Sequence, residues 1–242
     1  MDLFNSWLVE TPIAHRGLHD KNHPENSLSA FDEAIKLGYP IAIEVCNISD
    51  GTIVVFGDRE LSRMTGNDGY IKFLKKSDLD ILKLNGTKEK IPTFKEVLNF
   101  VNGRVPLLIE IKNEGKVGDF EKSVIEELKG YEGKIAIQSS NPYVLEYFYK
   151  VSPDTPRGQI SSFYKGEKIS FLKKNALKKM KFNKTISHPD FISYEAKCLP
   201  NRFVKKYKDK PLIAWTVESQ NDYLRVVKFC DNVIFENFEP MI

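Results

Sequence analysis

Eight short apolar runs, separated by stretches with helical spacing of apolar residues, constrain this chain more than any other feature. The runs are Pro12 to His15, Pro40 to Val45, Val105 to Lys112, Lys134 to Ser139, Arg157 to Ile160, Pro189 to Glu195, Pro211 to Val217 and Asn232 to Glu236. Runs this short, bounded by turn-forming residues, read as buried strands, and the amphipathic stretches between them read as helices. Asp119 to Tyr131 is one such helix, with Phe120, Val124, Ile125 and Leu128 on one face; Pro142 to Val151 and Asn221 to Phe229 follow the same pattern. Alternating strands and helices build parallel sheets from βα units. The 242 residues suffice for one large barrel. The expected fold is therefore α/β, a TIM (β/α)8 barrel forming a single domain over 1–242.

One segment breaks the alternation. Thr52 to Phe56 follows the turn Ser49-Asp50-Gly51 too closely for a parallel crossover, which needs about a dozen residues or more. It reads as the return arm of a hairpin. A small, polar inserted segment over 57–92 then precedes a helix from Thr93 to Val101, where Thr93 and Glu96 have the spacing of a capping box.

Composition excludes several classes. Apolar residues make up 41%, charged residues 29%, and the net charge is +3, an ordinary soluble composition. The lysine pairs Lys173-Lys174 and Lys178-Lys179 read as a solvated helix face. No nucleic-acid motif accompanies them, so no nucleic-acid partner is expected. No apolar run reaches the ~20 residues that span a bilayer, so no membrane insertion is expected. The opening Met1 to Trp7 lacks the basic-then-apolar order of a signal peptide. Cys46, Cys198 and Cys230 are far apart, without metal-ligand spacing, and suit a reduced, cytoplasmic protein. A monomer or weak dimer is expected.

Strand parity narrows the site. Ile41, Ile43 and Val45 share the face that packs on helices, which puts Ala42, Glu44 and Cys46 toward the barrel axis. By the same rule Glu110 and Lys112 point inward from the third run. Barrel enzymes place their chemistry at the carboxyl ends of the strands, and His15, Glu44, Cys46, Glu110 and Lys112 all fall near such ends.

The ordered motifs carry a resemblance. They are Ile13-Ala-His-Arg-Gly17, His23-Pro-Glu-Asn26, Asp50-Gly51, Val54-Val-Phe-Gly-Asp58, Leu61-Ser-Arg-Met-Thr-Gly66, Ile91-Pro-Thr-Phe94, Leu107-Leu-Ile-Glu-Ile-Lys112, Gln138-Ser-Ser-Asn-Pro142 and Ala214-Trp-Thr-Val217. Together they resemble the glycerophosphodiester phosphodiesterase family over nearly the whole chain. The resemblance implies a barrel in which three carboxylates hold Ca²⁺ or Mg²⁺ and two histidines act as general acid and base.

The departures are specific. Counted back from Asp50-Gly51 without a gap, the family's Glu-x-Asp falls on Ala42-Ile43-Glu44. A second alignment, needing a two-residue deletion, puts the Glu on Glu44 and the Asp on Cys46. Either way one carboxylate is lost. The His of the family's His-Asp pair is Gly57, and the aromatic after Gln-Ser is Ser140. His15, Arg16, Glu110 and Lys112 match residue by residue, and Glu44 stands at the Asp position in the first alignment and at the Glu position in the second. Losing one acid–base partner typically costs ~10²–10⁴-fold in rate.

Three readings follow. In the first, the barrel has been rebuilt by engineering into a hydrolase of small activated esters: Cys46 attacks, His15 is the base, Glu44 orients the imidazole, and Asn47 or Ser140 donates to the oxyanion, with no cofactor. In the second, a residual phosphodiesterase uses Ca²⁺ or Mg²⁺ on Glu44 and Glu110 with His15 and Lys112. In the third, a catalytically silent relative keeps an anion pocket of Arg16 and Lys112. The expected partner is a small-molecule ester or phosphodiester, touched by Arg16, Lys112, Asn47, Ser140 and Trp215.

Overall fold

The computed structural model describes residues 2–113, 115–166 and 169–241, and the chain divides into two compact units, Ala14–Ile135 and Met1–Ile13 with Ala136–Ile242. The strands are β1 (Ile13–His15), β2 (Ile41–Asn47), β3 (Ile53–Val55), β4 (Leu107–Ile111), β5 (Ile135–Ser139), β6 (Arg157–Ser161), β7 (Phe191–Glu195), β8 (Leu212–Val217) and β9 (Asn232–Phe235). All eight apolar runs are strands, and the strand order with its intervening helices is that of a (β/α)8 barrel. Among the described residues, no helix is long and apolar enough to cross a membrane.

In the unit Ala14–Ile135, β2 lies parallel to both β1 and β4, with His15 opposite Ala42 and Glu44 opposite Glu110. The hairpin arm is real: β3 runs antiparallel to β2, pairing Cys46 with Val54 and Asn47 with Ile53. This pairing carries β2 two residues beyond the expected end at Val45. The helix Leu28–Lys36 starts where Ser27 accepts from the Ala30 N–H. The helix Phe94–Val101 starts on the expected capping box of Thr93 and Glu96. It packs on β3 and on Leu28–Lys36.

The inserted segment 57–92 differs from its expectation. It reads as polar, but it holds an apolar core of its own. Leu61, Met64, Ile71, Leu79, Leu82, Leu84 and Ile91 are buried together with Ile48, Val54 and Phe56 of the hairpin. Only short turns of helix, Ser62–Thr65, Ile71–Phe73 and Lys76–Asp78, punctuate it, so its leucines follow no single period.

In the other unit, β5 through β9 run parallel in sequence order. The helix Pro142–Val151 is capped by Asn141, has Pro142 in its first turn, and buries Val144, Leu145 and Phe148. The amino-terminal segment is tied to β9, where the Asn232 amide donates to the carbonyls of Leu8 and Thr11, each at 2.8 Å.

The apolar core of the inserted segment gives a direct test. Leu84 is 1% exposed and Ile81 is 77% exposed. We expect Leu84→Ala to lower the free energy of unfolding by about 2–5 kcal/mol and Ile81→Ala to change it by no more than about 0.5 kcal/mol. Urea denaturation measures both.

Candidate functional site

The end of β1 sets the site's frame. After His15 the backbone turns through left-handed conformations at Arg16 (φ 60°) and Gly17 (φ 82°), and Asn26 is left-handed as well (φ 57°). A Cβ on Gly17 would meet the Ala30 backbone at 2.7 Å, so the glycine permits both the turn and the close approach of the following helix. Left-handed non-glycine residues are strained and persist where their surroundings fix them. Here the Arg16 N–H donates to Ala42 O at 2.7 Å, and the Asn26 N–H donates to Arg16 O at 3.0 Å. The His-Arg-Gly and Pro-Glu-Asn motifs are thereby locked together.

The side chains converge on Glu44, which is buried in β2. Lys112 Nζ lies 2.6 Å from Glu44 Oε1 and donates to Gly57 O at 2.6 Å. Arg16 Nε lies 2.5 Å from Glu44 Oε2, and Arg16 Nη2 donates to Oε1 at 3.0 Å. The Asn26 amide adds a bond to Oε2 at 3.3 Å. Arg16 also reaches Glu25 at 2.6 Å. Glu25 in turn takes two bonds from Arg63, whose Nε donates to Asp58 at 2.6 Å. The charges alternate along one chain, Lys112–Glu44–Arg16–Glu25–Arg63–Asp58.

Burial alone would raise the Glu44 pKa, but the charges of Lys112, Arg16 and His15 outweigh it and hold the carboxyl well below the usual range. Glu110 goes the other way: burial pushes its carboxyl up, Lys112 opposes that, and the Glu44 charge adds to it. Lys112 is raised because Glu44 and Glu110 outweigh the effect of its burial.

Gly57 stands where the resemblance implies the family's second histidine. Gly57 is not in the left-handed region, so its backbone would accept one. What excludes it is Glu44: a Cβ on Gly57 would meet Glu44 Oε2 at 2.2 Å and Arg16 Nη2 at 3.0 Å. The end of a glutamate can swing aside in general, but this one is held by Lys112, Arg16 and Asn26.

His15, Arg16, Glu44, Glu110 and Lys112 thus belong to one unit and act on one another electrostatically, as parity and motif position predict. Cys46 has a different setting. Its Sγ lies 4.0 Å from Phe56 O, and its side chain packs against the apolar core of the inserted segment. Asn47 is exposed and paired with Ile53. Ser140 and Trp215 lie in the other unit, Ser140 exposed just after β5 and Trp215 on β8. There the buried Gln138 Oε1 and Trp215 Nε1 have no partner among the described residues. Glu25, Asn26, Asp58 and Arg63 were not expected in the site. The signal was present, since all four sit inside the motifs quoted above.

A hard divalent cation takes about six to eight oxygens, or keeps several waters around a few carboxylates. Among the described residues, no group of three His, Cys, Asp or Glu is placed to hold one. Both oxygens of Glu44 are already taken by Lys112 and Arg16. The residues present do not fit the family's cation.

The glycerophosphoryl diester phosphodiesterase family model matches residues 15–237. This chain belongs to that family. It is 31% identical to the glycerophosphodiester phosphodiesterase of Caldanaerobacter subterraneus subsp. tengcongensis over 95% of both chains. It is 26% identical to the putative glycerophosphodiester phosphodiesterase YhdW of Bacillus subtilis over 86% of both. Among solved structures, it is similar to an Oleispira antarctica phosphodiesterase in complex with the product sn-glycerol-3-phosphate, with a TM-score of 0.80, 22% identity, and coverage of 95% of this chain and 93% of that one. The Thermotoga maritima glycerophosphodiester phosphodiesterase gives a TM-score of 0.72 at 24% identity, covering 93% and 94%. At these identities the two structures speak for the fold, the TIM barrel.

The buried ion pairs give a pH-dependent test. Removing one partner of a buried pair costs about 3–5 kcal/mol, so Glu44→Gln should destabilise the protein by that amount at pH 7. A depressed carboxyl stabilises above its unfolded pKa, and that stability is lost as the pH falls through the folded value. The gap between wild type and Glu44→Gln, followed by urea denaturation across pH, should therefore close on the acid side.

Proposed function

We propose that this family member binds a small phosphodiester or glycerol phosphate and does not carry out the cation-assisted cleavage. The observation that carries the reading is the occupation of Glu44. Lys112 and Arg16 supply to it the positive charge that a metal ion supplies to a cluster of carboxylates, and the carboxylate fills the space of residue 57. Phosphodiester hydrolysis by acid–base catalysis needs a group to take a proton from the attacking hydroxyl and a group to give one to the leaving oxygen. His15 stands at the position of one of these groups. The position of the second histidine is Gly57.

Binding draws on what remains. Lys112 spends two of its three donors on Glu44 and Gly57 and keeps one for an anion. Arg16 is paired with Glu44 and Glu25 and contributes positive charge to the same unit. A relative captured with sn-glycerol-3-phosphate supplies the ligand class.

The thiol-hydrolase reading finds no support in the setting of Cys46, whose sulfur faces a backbone carbonyl and an apolar cluster. Membership of the family accounts for the frame without recourse to design. Cys46→Ala should leave any release of p-nitrophenol from an activated ester unchanged.

Isothermal titration with sn-glycerol 3-phosphate, beside an assay for glycerol phosphate released from glycerophosphocholine with calcium, magnesium or chelator, tests the proposal. We expect binding that Lys112→Met weakens, and no chelator-sensitive turnover. Robust cation-stimulated turnover would overturn it. The steric lock predicts a second result. Gly57→His alone should not restore hydrolysis. The triple change Ala42→Glu, Glu44→Asp, Gly57→His should raise turnover above either the parent or the single variant, by up to about the 10²–10⁴-fold that one acid–base group is worth.

A further inference from the structure

Residues 169–189 contain six lysines, at 173, 174, 178, 179, 181 and 184, and no Asp or Glu. The carboxylates that flank the segment in sequence are Glu167 and Asp190, and Asp190 is paired with Arg157 at 2.9 Å. Lys206 joins the same patch, its Nζ donating to Lys179 O at 2.9 Å. Burial and the nearby charge of Lys184 both pull the Lys206 pKa down, as crowding of like charges on one surface requires.

A solvated lysine face would not need apolar side chains in water. Here Phe171 and Leu172, in the first turn of the helix Phe171–Lys178, are 76% and 80% exposed. Adjacent large apolar residues in a lysine-rich segment that has no Asp or Glu from 169 to 189 have the composition of a segment that lies in a lipid interface. Each lysine near an anionic bilayer strengthens binding roughly fivefold, while the apolar pair gains by leaving water. A nucleic acid would use the lysines but has no use for Leu172.

We propose that the segment from Ser170 to Lys184 docks this unit onto an anionic phospholipid surface, with Phe171 and Leu172 entering the interface and the lysines meeting lipid phosphates. Docking is peripheral, since the helix Phe171–Lys178 has only eight residues.

Co-sedimentation of the full chain with vesicles tests this. We expect it to pellet with vesicles of phosphatidylcholine and phosphatidylglycerol, to stay in solution with phosphatidylcholine alone, and to be released by salt. Two variants made at exposed positions separate the contributions. Phe171→Ser with Leu172→Ser should weaken binding at least about tenfold. Lys173→Glu with Lys181→Glu and Lys184→Glu should weaken it at least about a hundredfold. Neither should change the melting temperature. Failure to pellet with phosphatidylglycerol vesicles at low salt would overturn the proposal. So would binding that the Phe171/Leu172 variant leaves intact and single-stranded RNA competes away, which marks a general polyanion surface.

Discussion

A carboxylate taken out of water must find opposite charge, and in this protein that requirement at Glu44 organises everything around the end of β1. The strand buries the side chain, and burial is expensive for an ion. The cost is met by two cations on separate elements, Lys112 just past β4 and Arg16 in the turn after β1. Arg16 reaches Glu44 from a backbone held in a left-handed conformation between Ala42 and Asn26. The ion pair, the strained turn and the Pro-Glu-Asn loop are one mechanical assembly, and Glu25 and Arg63 extend it to Asp58.

That assembly places two cations of the chain itself at the carboxylate in the family's frame. A metal centre is a set of negative groups stabilised by a positive ion that arrives from solution. Here the positive charge is built into the chain. Lys112 and Arg16 suit the binding of phosphate, and they now also neutralise the site internally. Ala42 and Gly57 stand where the family resemblance implies a carboxylate and a second histidine.

The strands were legible because each is a short apolar run closed by a turn-forming residue, and the hairpin because a single tight turn leaves no room for a crossover. The core of 57–92 was not legible. Leu61 and Leu79 flank short helical turns and Leu82 and Leu84 lie beyond the last of them, so neither a period of two nor one of 3.6 links the four. Within the site, parity and motif position brought His15, Glu44, Glu110 and Lys112 to one mouth. The ion chain through Glu25, Arg63 and Asp58 joins residues up to 38 apart in sequence, and no local pattern encodes such pairings. The environment of Cys46 was missed for a related reason: what its sulfur touches is decided by the arm that folds back over it.

The space shared by Glu44 and residue 57 also bears on how such a protein can change over time. A mutation that puts a side chain back at 57 meets a carboxylate held by three partners, and one that shortens Glu44 first loosens the ion pairs without yet gaining a proton carrier. The two positions are therefore coupled: a side chain at 57 requires Glu44 to move or shorten, and a change at Glu44 loosens the ion pairs that Lys112 and Arg16 make with it.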